Sequence, residues 1–443
     1  MTEPNENTTP ARALALLPLL LFLAIFLGSG IYYSWMGSEF AFYQTKAPVA
    51  ALPAILLAVL TFRGSINRAI DIFLRGAGHH NLILMFMVFM LAGAFASVST
   101  AIGSIDATVQ LALSIIPAQW VLPMLFVISA FIATAMGTSM GTIAACTPIA
   151  FGFANATDIA MVYAIGAVVG GAMFGDNLSM ISDTTIAATR SLNVELKDKF
   201  RINIWIALPA ALCTIILYLL LSHTQHEIQH QAYNIWLIIP YLLVFVLAFS
   251  RLHVLAVLSI GIVSAGIIGL IYQDNFAISH WNNAIYDGFT AMFEVAFLSL
   301  LLGGISALMQ HEGGLKWLIA RIYALTNLIQ IGRERAGELG IILLICCSNL
   351  FVANNTVAII LSGDMAREVA KEYGVNPKRA AALLDIFSCV VQGLIPYGAQ
   401  LLLACSIAQI SPLSLIQHVY YCWALAIFSL VAVIFRYPRL KSG

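Results

Sequence analysis

Hydrophobic runs long enough to cross about 30 Å of hydrocarbon recur from one end of this chain to the other. They predict spans at 12–33, 47–62, 82–104, 159–189, 201–221, 234–250, 253–272, 291–309, 379–410 and 414–435. Two further apolar segments, 120–153 and 337–368, turn polar in the middle, at Gly137-Thr138-Ser139-Met140-Gly141-Thr142 and at Asn354-Asn355-Thr356. Beyond the first tip the apolar arm lasts about a dozen residues, roughly 18 Å of helix. That is too short to cross, so both segments are expected to be re-entrant hairpins.

Two of the spans are themselves interrupted. In 159–189 the break is Phe174-Gly175-Asp176-Asn177-Leu178-Ser179-Met180-Ile181-Ser182-Asp183-Thr184-Thr185, and in 379–410 it is Leu394-Ile395-Pro396-Tyr397-Gly398-Ala399-Gln400. Broken hydrophobic segments at matching places in two halves point to the binding site of a secondary transporter.

The order of elements repeats, once over 12–221 and again over 234–435. Each half has five crossings, an odd number, so the two are expected to be oppositely oriented. The fold class expected is an all-α polytopic membrane protein: an inverted five-plus-five transmembrane repeat with two re-entrant hairpins and two discontinuous helices, behind a disordered N-terminus of residues 1–11. With both hairpins re-entrant, twenty of the twenty-one Lys and Arg residues fall on one side and only Lys46 lies opposite. The positive-inside rule then puts both termini in the cytoplasm, with the chain in a bacterial inner membrane.

Composition agrees and excludes much else. At 61% hydrophobic and 9% charged, with mean hydropathy +0.92, the chain cannot be a soluble domain. Zero formal net charge gives no case for nucleic acid. The seven cysteines sit in apolar runs without a C-x-x-C, which predicts buried, inert thiols and no zinc site. Run 13–33 is too long for a signal-peptide core and is expected to be the first span.

The first break carries the chemistry. A carboxylate at mid-bilayer costs about 2.5–3.5 kcal/mol on insertion scales, so Asp176 and Asp183 need water or a cation. Gly175 and the Asn-Ser-Asp-Thr content suggest local unwinding, which frees carbonyls for a cation. A hard cation such as Na⁺ takes carboxylate, hydroxyl, amide and carbonyl oxygens. Asp176, Asn177, Ser179, Ser182, Asp183 and Thr184 offer all of these, and Thr138, Ser139 and Thr142 of the first hairpin tip can complete the shell. Asn354, Asn355 and Thr356, with Gly398 and Gln400, form an uncharged counterpart suited to a substrate carboxylate or a second ion. No cofactor is expected beyond Na⁺ and H⁺ as coupling ions. Single hydroxyls in this set could equally serve helix–helix hydrogen bonding.

The G-T-S-x-G-T tip, the FGDNLS-x-I-SDTT signature and the later LIPYGA resemble the NhaC-type sodium/proton antiporter family of the ion transporter superfamily, over essentially the whole chain. The resemblance implies sodium coupling, a mobile transport region and a homodimer. It leaves the cargo open among Na⁺/H⁺ exchange, organic acids and amino acids.

Other acids weigh less. Glu294 and Asp106 are expected at the periplasmic interface, Asp364 and Glu368 at the cytoplasmic one, and Asp385 near an inner vestibule. The G-x-S-x-G match at 137–141 lacks a histidine within reach, so no hydrolase is expected. His223, His226, Glu227 and His230 read as a solvated loop. The stretches 63–75 and 316–330 read as amphipathic interfacial helices. With no basic residue expected at depth, the preferred reading is sodium-coupled carriage, by alternating access, of a small zwitterionic solute such as an amino acid. The alternative is a Na⁺/H⁺ antiporter in which Asp176 and Asp183 bind both ions competitively.

Overall fold

The computed structural model describes residues 10–37, 44–157, 159–222, 232–250, 252–328 and 332–438. The regular elements among them are all helical. The histidine cluster at 223–230 and most of the N-terminal 1–11 lie outside the described residues.

The first half contains α1 (Leu17–Trp35), α2 (Ala47–Leu60), α3 (Ile66–Ala77), α4 (His80–Ala101), α5 (Ser104–Ile115), α6 (Val121–Met136), α7 (Ser139–Ala156), α8 (Met161–Leu178), α9 (Asp183–Leu192) and α10 (Leu196–Leu221). The second contains α11 (Ile239–Ala248), α12 (Val254–Tyr272), α13 (Ile278–His311), α14 (Gly314–Leu328), α15 (Arg333–Val352), α16 (Asn355–Tyr373), α17 (Pro377–Gln392), α18 (Ala399–Ala408), α19 (Pro412–His418) and α20 (Tyr420–Phe435).

Among the described residues seven helices are long and apolar enough to cross a membrane, or eight if the pair α18–α19, bent by 107°, is taken as one span. Six of the seven fall on expected spans and the seventh, Arg333–Val352, is the first arm of the second hairpin; the expected spans 47–62, 234–250, 379–410 and 414–435 correspond to α2, α11, α17 with α18, and α19 with α20. Outward-facing stripes such as Leu208, Leu212, Ile216 and Leu220 repeat every four residues on α10 and stay exposed, as a lipid-facing surface requires. Cys213 shares that surface, contrary to the expectation that every thiol is buried.

Both polar-tipped segments fold back as helical hairpins, α6–α7 and α15–α16, and they turn in the same way. A single left-handed residue ends the first arm: Gly137 (φ 68°) in one, Ala353 (φ 52°) in the other. An extended residue, Thr138 or Asn354, then opens the second arm. The second arms are longer than expected. α7 has 18 residues and α16 has 19, about 27–28 Å at 1.5 Å per residue, so length alone does not exclude a crossing. The Ser, Thr and Asn residues of these arms lower local hydropathy without ending the helix.

The two broken helices are the interior of the molecule. An 18-residue apolar stretch within Met161–Leu192 is 83% buried, and α17 and α18 are made almost entirely of buried residues. The first break is narrower than expected, covering only 179–182 between α8 and α9, so Asp176 remains helical. Gly175 serves packing there: a Cβ on it would lie 2.3 Å from Ala133 Cβ and 2.7 Å from the Ala130 carbonyl on α6. The second break covers 393–398. Each break ties to its own hairpin by one hydroxyl. Ser179 Oγ donates to the Thr134 carbonyl at 3.0 Å, and the Tyr397 hydroxyl donates to the Leu350 carbonyl. Thr134 and Leu350 each lie three residues before the left-handed turn of their hairpin, where a helix end leaves carbonyls free.

The stretches expected to lie along the interface form α3 and α14, and α3 packs on α13. Two elements differ from expectation. α5 is an additional helix, set off from α4 by Gly103 at φ 74°. α13 begins at Ile278, well before the predicted 291, because polar residues such as His280, Asn282 and Asp287 hide a continuous helix from a hydropathy reading. Glu294 within it pairs with Lys46 at 3.2 Å and accepts from the Ala47 N–H at the start of α2.

Candidate functional site

The four short polar connections meet. A cavity of about 60 Å³ is lined by Gly137, Thr138 and Ser139 at the first hairpin tip, Asn354, Asn355 and Thr356 at the second, Asp176 on α8, Asp183 and Thr184 at the start of α9, and Gln400 at the start of α18. Asn81, Met85 and Val88 of α4 and Val254 of α12 help to close it. The N-termini of α7, α9, α16 and α18 therefore all open on one space. Each carries roughly half a positive charge from its aligned peptide dipoles. A carboxylate here is well supported, and Asp176 occupies that position.

Asp176 is 4% exposed. Its Oδ2 accepts from Ser139 Oγ at 2.9 Å and from Asn355 Nδ2 at 3.3 Å, so both hairpin tips hold one carboxylate oxygen. Gln400 Nε2 donates to Ser139 Oγ at 3.3 Å, and Gln392 Nε2 donates to Gln400 Oε1 at 2.6 Å, extending the chain to α17. Every hydrogen bond to Asp176 comes from a neutral group, and among the described residues no cation pairs with it. Asp183, the first residue of α9, is exposed and faces the same cavity.

The remaining predicted residues take other positions. Ser182 caps α9 by accepting from the Thr185 N–H at 3.2 Å, and its hydroxyl donates to the Asp176 carbonyl at 2.9 Å. Ser179 shapes the break, as described. Thr142 is fully buried and bonds within its own helix to the Thr138 carbonyl at 3.2 Å, away from the cavity lining. Gly398 is the residue preceding α18 and caps it in an extended conformation. Asn354 caps α16 by accepting from the Val357 N–H at 3.0 Å. Asn177 turns away from the cavity, and its Nδ2 donates to Asp385 Oδ2 at 3.0 Å.

Asp385 overturns two expectations. It is completely buried, so it lines no vestibule, and its Oδ2 lies 2.6 Å from Lys199 Nζ, itself only 1% exposed. A basic residue therefore does sit inside the protein. Lys199 was expected in a cytoplasmic loop because it follows Lys197 and Asp198, yet α10 begins before it. Its position was legible from the buried stripe of α10, in which Lys199, Ile202, Asn203, Ile206, Ala207 and Ala210 follow helical spacing. Asn203 adds a bond from its Nδ2 to Asp385 Oδ2 at 2.9 Å. A second buried cation, Arg379, pairs with Glu338 and donates to the Ala432 and Tyr437 carbonyls at 2.8 and 2.9 Å, tying α17 to α15 and to the end of α20.

The site thus has two buried carboxylates in contrasting states. Asp385 has a protein cation beside it, whereas Asp176 has only neutral donors and a cavity. Such an arrangement can hold one mobile cation, or a proton, at Asp176.

The sequence model of the Na⁺/H⁺ antiporter family matches residues 3–223 and again 221–436. The chain is 24% identical over 382 residues to the Na⁺/H⁺ antiporter NhaC of Alkalihalophilus pseudofirmus, covering 80% of this chain and 82% of that one. It is 26% identical over 351 residues to NhaC of Bacillus subtilis, covering 72% and 76%. A malate-2H⁺/Na⁺-lactate antiporter of Bacillus subtilis is 23% identical over 300 residues, covering 61% and 64%. With both halves matched by the family's sequence model, this multi-pass membrane protein belongs to the Na⁺/H⁺ antiporter family.

Proposed function

We propose that the chain exchanges Na⁺ for H⁺ across the bacterial cytoplasmic membrane, with Asp176 as the carboxylate for which the two ions compete. The observation that carries this reading is the state of Asp176. It is buried, neutral groups alone hydrogen-bond it, and it opens on a cavity of about 60 Å³. The names of the two NhaC relatives support the same reading. Thr138, Ser139, Asp183, Thr184 and the Asn355 amide oxygen are the further oxygens from which a Na⁺ shell would be drawn.

Alternating access between oppositely oriented halves, 12–221 and 234–435, is the mechanism that fits this site. Its support is the family match in each half and the identical turns of the two hairpins. Because both tips hold one oxygen of Asp176, exchanging Na⁺ for a proton changes the bonds that join them. The site's own chemistry would thereby be coupled to hairpin movement.

A second reading has one specific observation behind it. Four helix N-termini facing one cavity also suit the carboxylate of an organic solute, as the malate/lactate relative's name suggests for that protein. The two readings part in purified proteoliposomes with no organic solute present. Exchange predicts that an imposed Na⁺ gradient moves protons; absence of proton movement until a carboxylate is added would favour the second reading.

A further inference from the structure

Lys199 Nζ donates to three oxygens: Asp385 Oδ2, the Asn177 carbonyl and Thr185 Oγ1, each at 2.6 Å. Carboxylate, carbonyl and hydroxyl are the ligand kinds of a monovalent-cation site, drawn here from α17, from the end of α8 and from α9. The surroundings hold more acceptors than the ammonium uses. Asp385 Oδ1, Asn177 Oδ1 and Asn203 Oδ1 are buried and have no hydrogen-bond partner among the described residues. Unpaired buried acceptors are costly and uncommon, and three of them belong to residues that bond the ammonium or its carboxylate. Thr184, which lines the cavity, directly precedes Thr185, whose Oγ1 accepts from the ammonium, so the two sites adjoin.

We propose that the oxygens around Asp385 form a second Na⁺ site, filled in this protein by the tethered ammonium of Lys199. The lysine acts as a built-in competitor. It supplies the positive charge that Asp385 requires, and it restricts the mobile cation to Asp176. Replacing it with a neutral residue should open the second site to free Na⁺. The inference stands apart from the reading of Asp176, and the experiment keeps the two separable.

The test measures ²²Na⁺ retained at saturation by purified protein, starting from Asp176→Asn. That variant alone should hold no Na⁺. Adding Lys199→Met should raise retention to about one Na⁺ per chain, and adding Asp385→Asn to that pair should return it to zero. Lys199→Arg in the Asp176→Asn background should also hold none, since a tethered cation remains. Thermal unfolding in NaCl against choline chloride gives an independent reading, because a ligand bound only by the folded state raises the midpoint. The midpoint of Asp176→Asn/Lys199→Met should rise in NaCl alone. Lys199→Gln serves as a second neutral variant, and a variant that folds in NaCl but not in choline supports the proposal equally. A folded neutral variant with no added Na⁺ and no NaCl-specific stabilisation overturns it, as does failure of both neutral variants to fold in either salt. Residual Na⁺ in Asp176→Asn alone would count against the reading of Asp176, while the increment on removing Lys199 would still decide the second site.

Discussion

Asn355 Nδ2 lies 3.3 Å from Oδ2 of Asp176, joining the tip of one hairpin to a carboxylate 179 residues earlier in the chain. Ser139 of the other hairpin donates to the same oxygen. Asn355 and Ser139 are both the first residue of their helices, so equivalent positions of two hairpins meet on one acid.

Removing these contacts one at a time should grade the effect. Asn355→Ala and Ser139→Ala each delete one hydrogen bond to a carboxylate, worth about 1.5–3 kcal/mol, so the apparent Km for Na⁺ should rise by roughly ten- to a hundredfold. Asp176→Asn removes the charge itself with almost no change in volume, and sodium-dependent transport should be lost while expression stays normal. Uptake of ²²Na⁺ into proteoliposomes measures both. Equal loss in all three variants would show that the hairpin tips do more than hold the acid.

The Lys199–Asp385 pair should behave as a buried ion pair. In sodium-free medium Lys199→Ala or Asp385→Asn alone should cost about 3–5 kcal/mol, because each leaves one group buried without its partner. The double change should cost much less than the sum. Thermal unfolding in detergent gives the coupling; additive losses would mean the two side chains are not energetically linked.

The hairpin turns give a prediction of opposite signs. A non-glycine residue in the left-handed region costs roughly 1–2 kcal/mol. Ala353→Gly should therefore stabilise the protein by up to about 1 kcal/mol, after the greater unfolded-state freedom of glycine is subtracted. Gly137→Ala should destabilise it, since its Cβ would also come within 2.9 Å of Ile181 Cγ1. Midpoints of thermal unfolding that move the same way in both variants would contradict this account of the turns.

Much of this architecture is written in polar interruptions of hydrophobic runs. Both hairpin tips and both helix breaks fall at or beside the residues that interrupt the spans, because glycine, proline and hydroxyl residues are conspicuous against an apolar background. What stayed hidden depends on packing. The break after α8 starts three residues beyond Asp176, since Gly175 is there to let α6 approach rather than to unwind the helix. Lys199 reads as an interfacial charge until the rotation of α10 is known, and that rotation is set by its neighbours. α5 was concealed because Gly103 separates two helices that hydropathy reads partly as one span. The destination of Asn177, away from the cavity and toward Asp385, required α17 to be in place.

The orientation expected from the basic residues can be checked directly. In a cysteine-free background, a cysteine at the exposed Asn282 should react with an impermeant thiol reagent added from outside, whereas cysteines at Asn193 and Lys371 should not. External labelling at Lys371 would mean that α15 and α16 each cross the membrane, and the oppositely oriented halves would have to be abandoned.

On the proposed mechanism one carboxylate, Asp176, holds either Na⁺ or a proton. Purified protein in weakly buffered detergent solution, mixed with NaCl or with choline chloride at matched ionic strength, reports this through the protons released. Protons should be released on adding NaCl, saturating with Na⁺ concentration, with no release on adding choline and none in Asp176→Asn. Sodium-dependent release of the same size from Asp176→Asn, or none from the unaltered protein at any pH at which it transports, would contradict that mechanism.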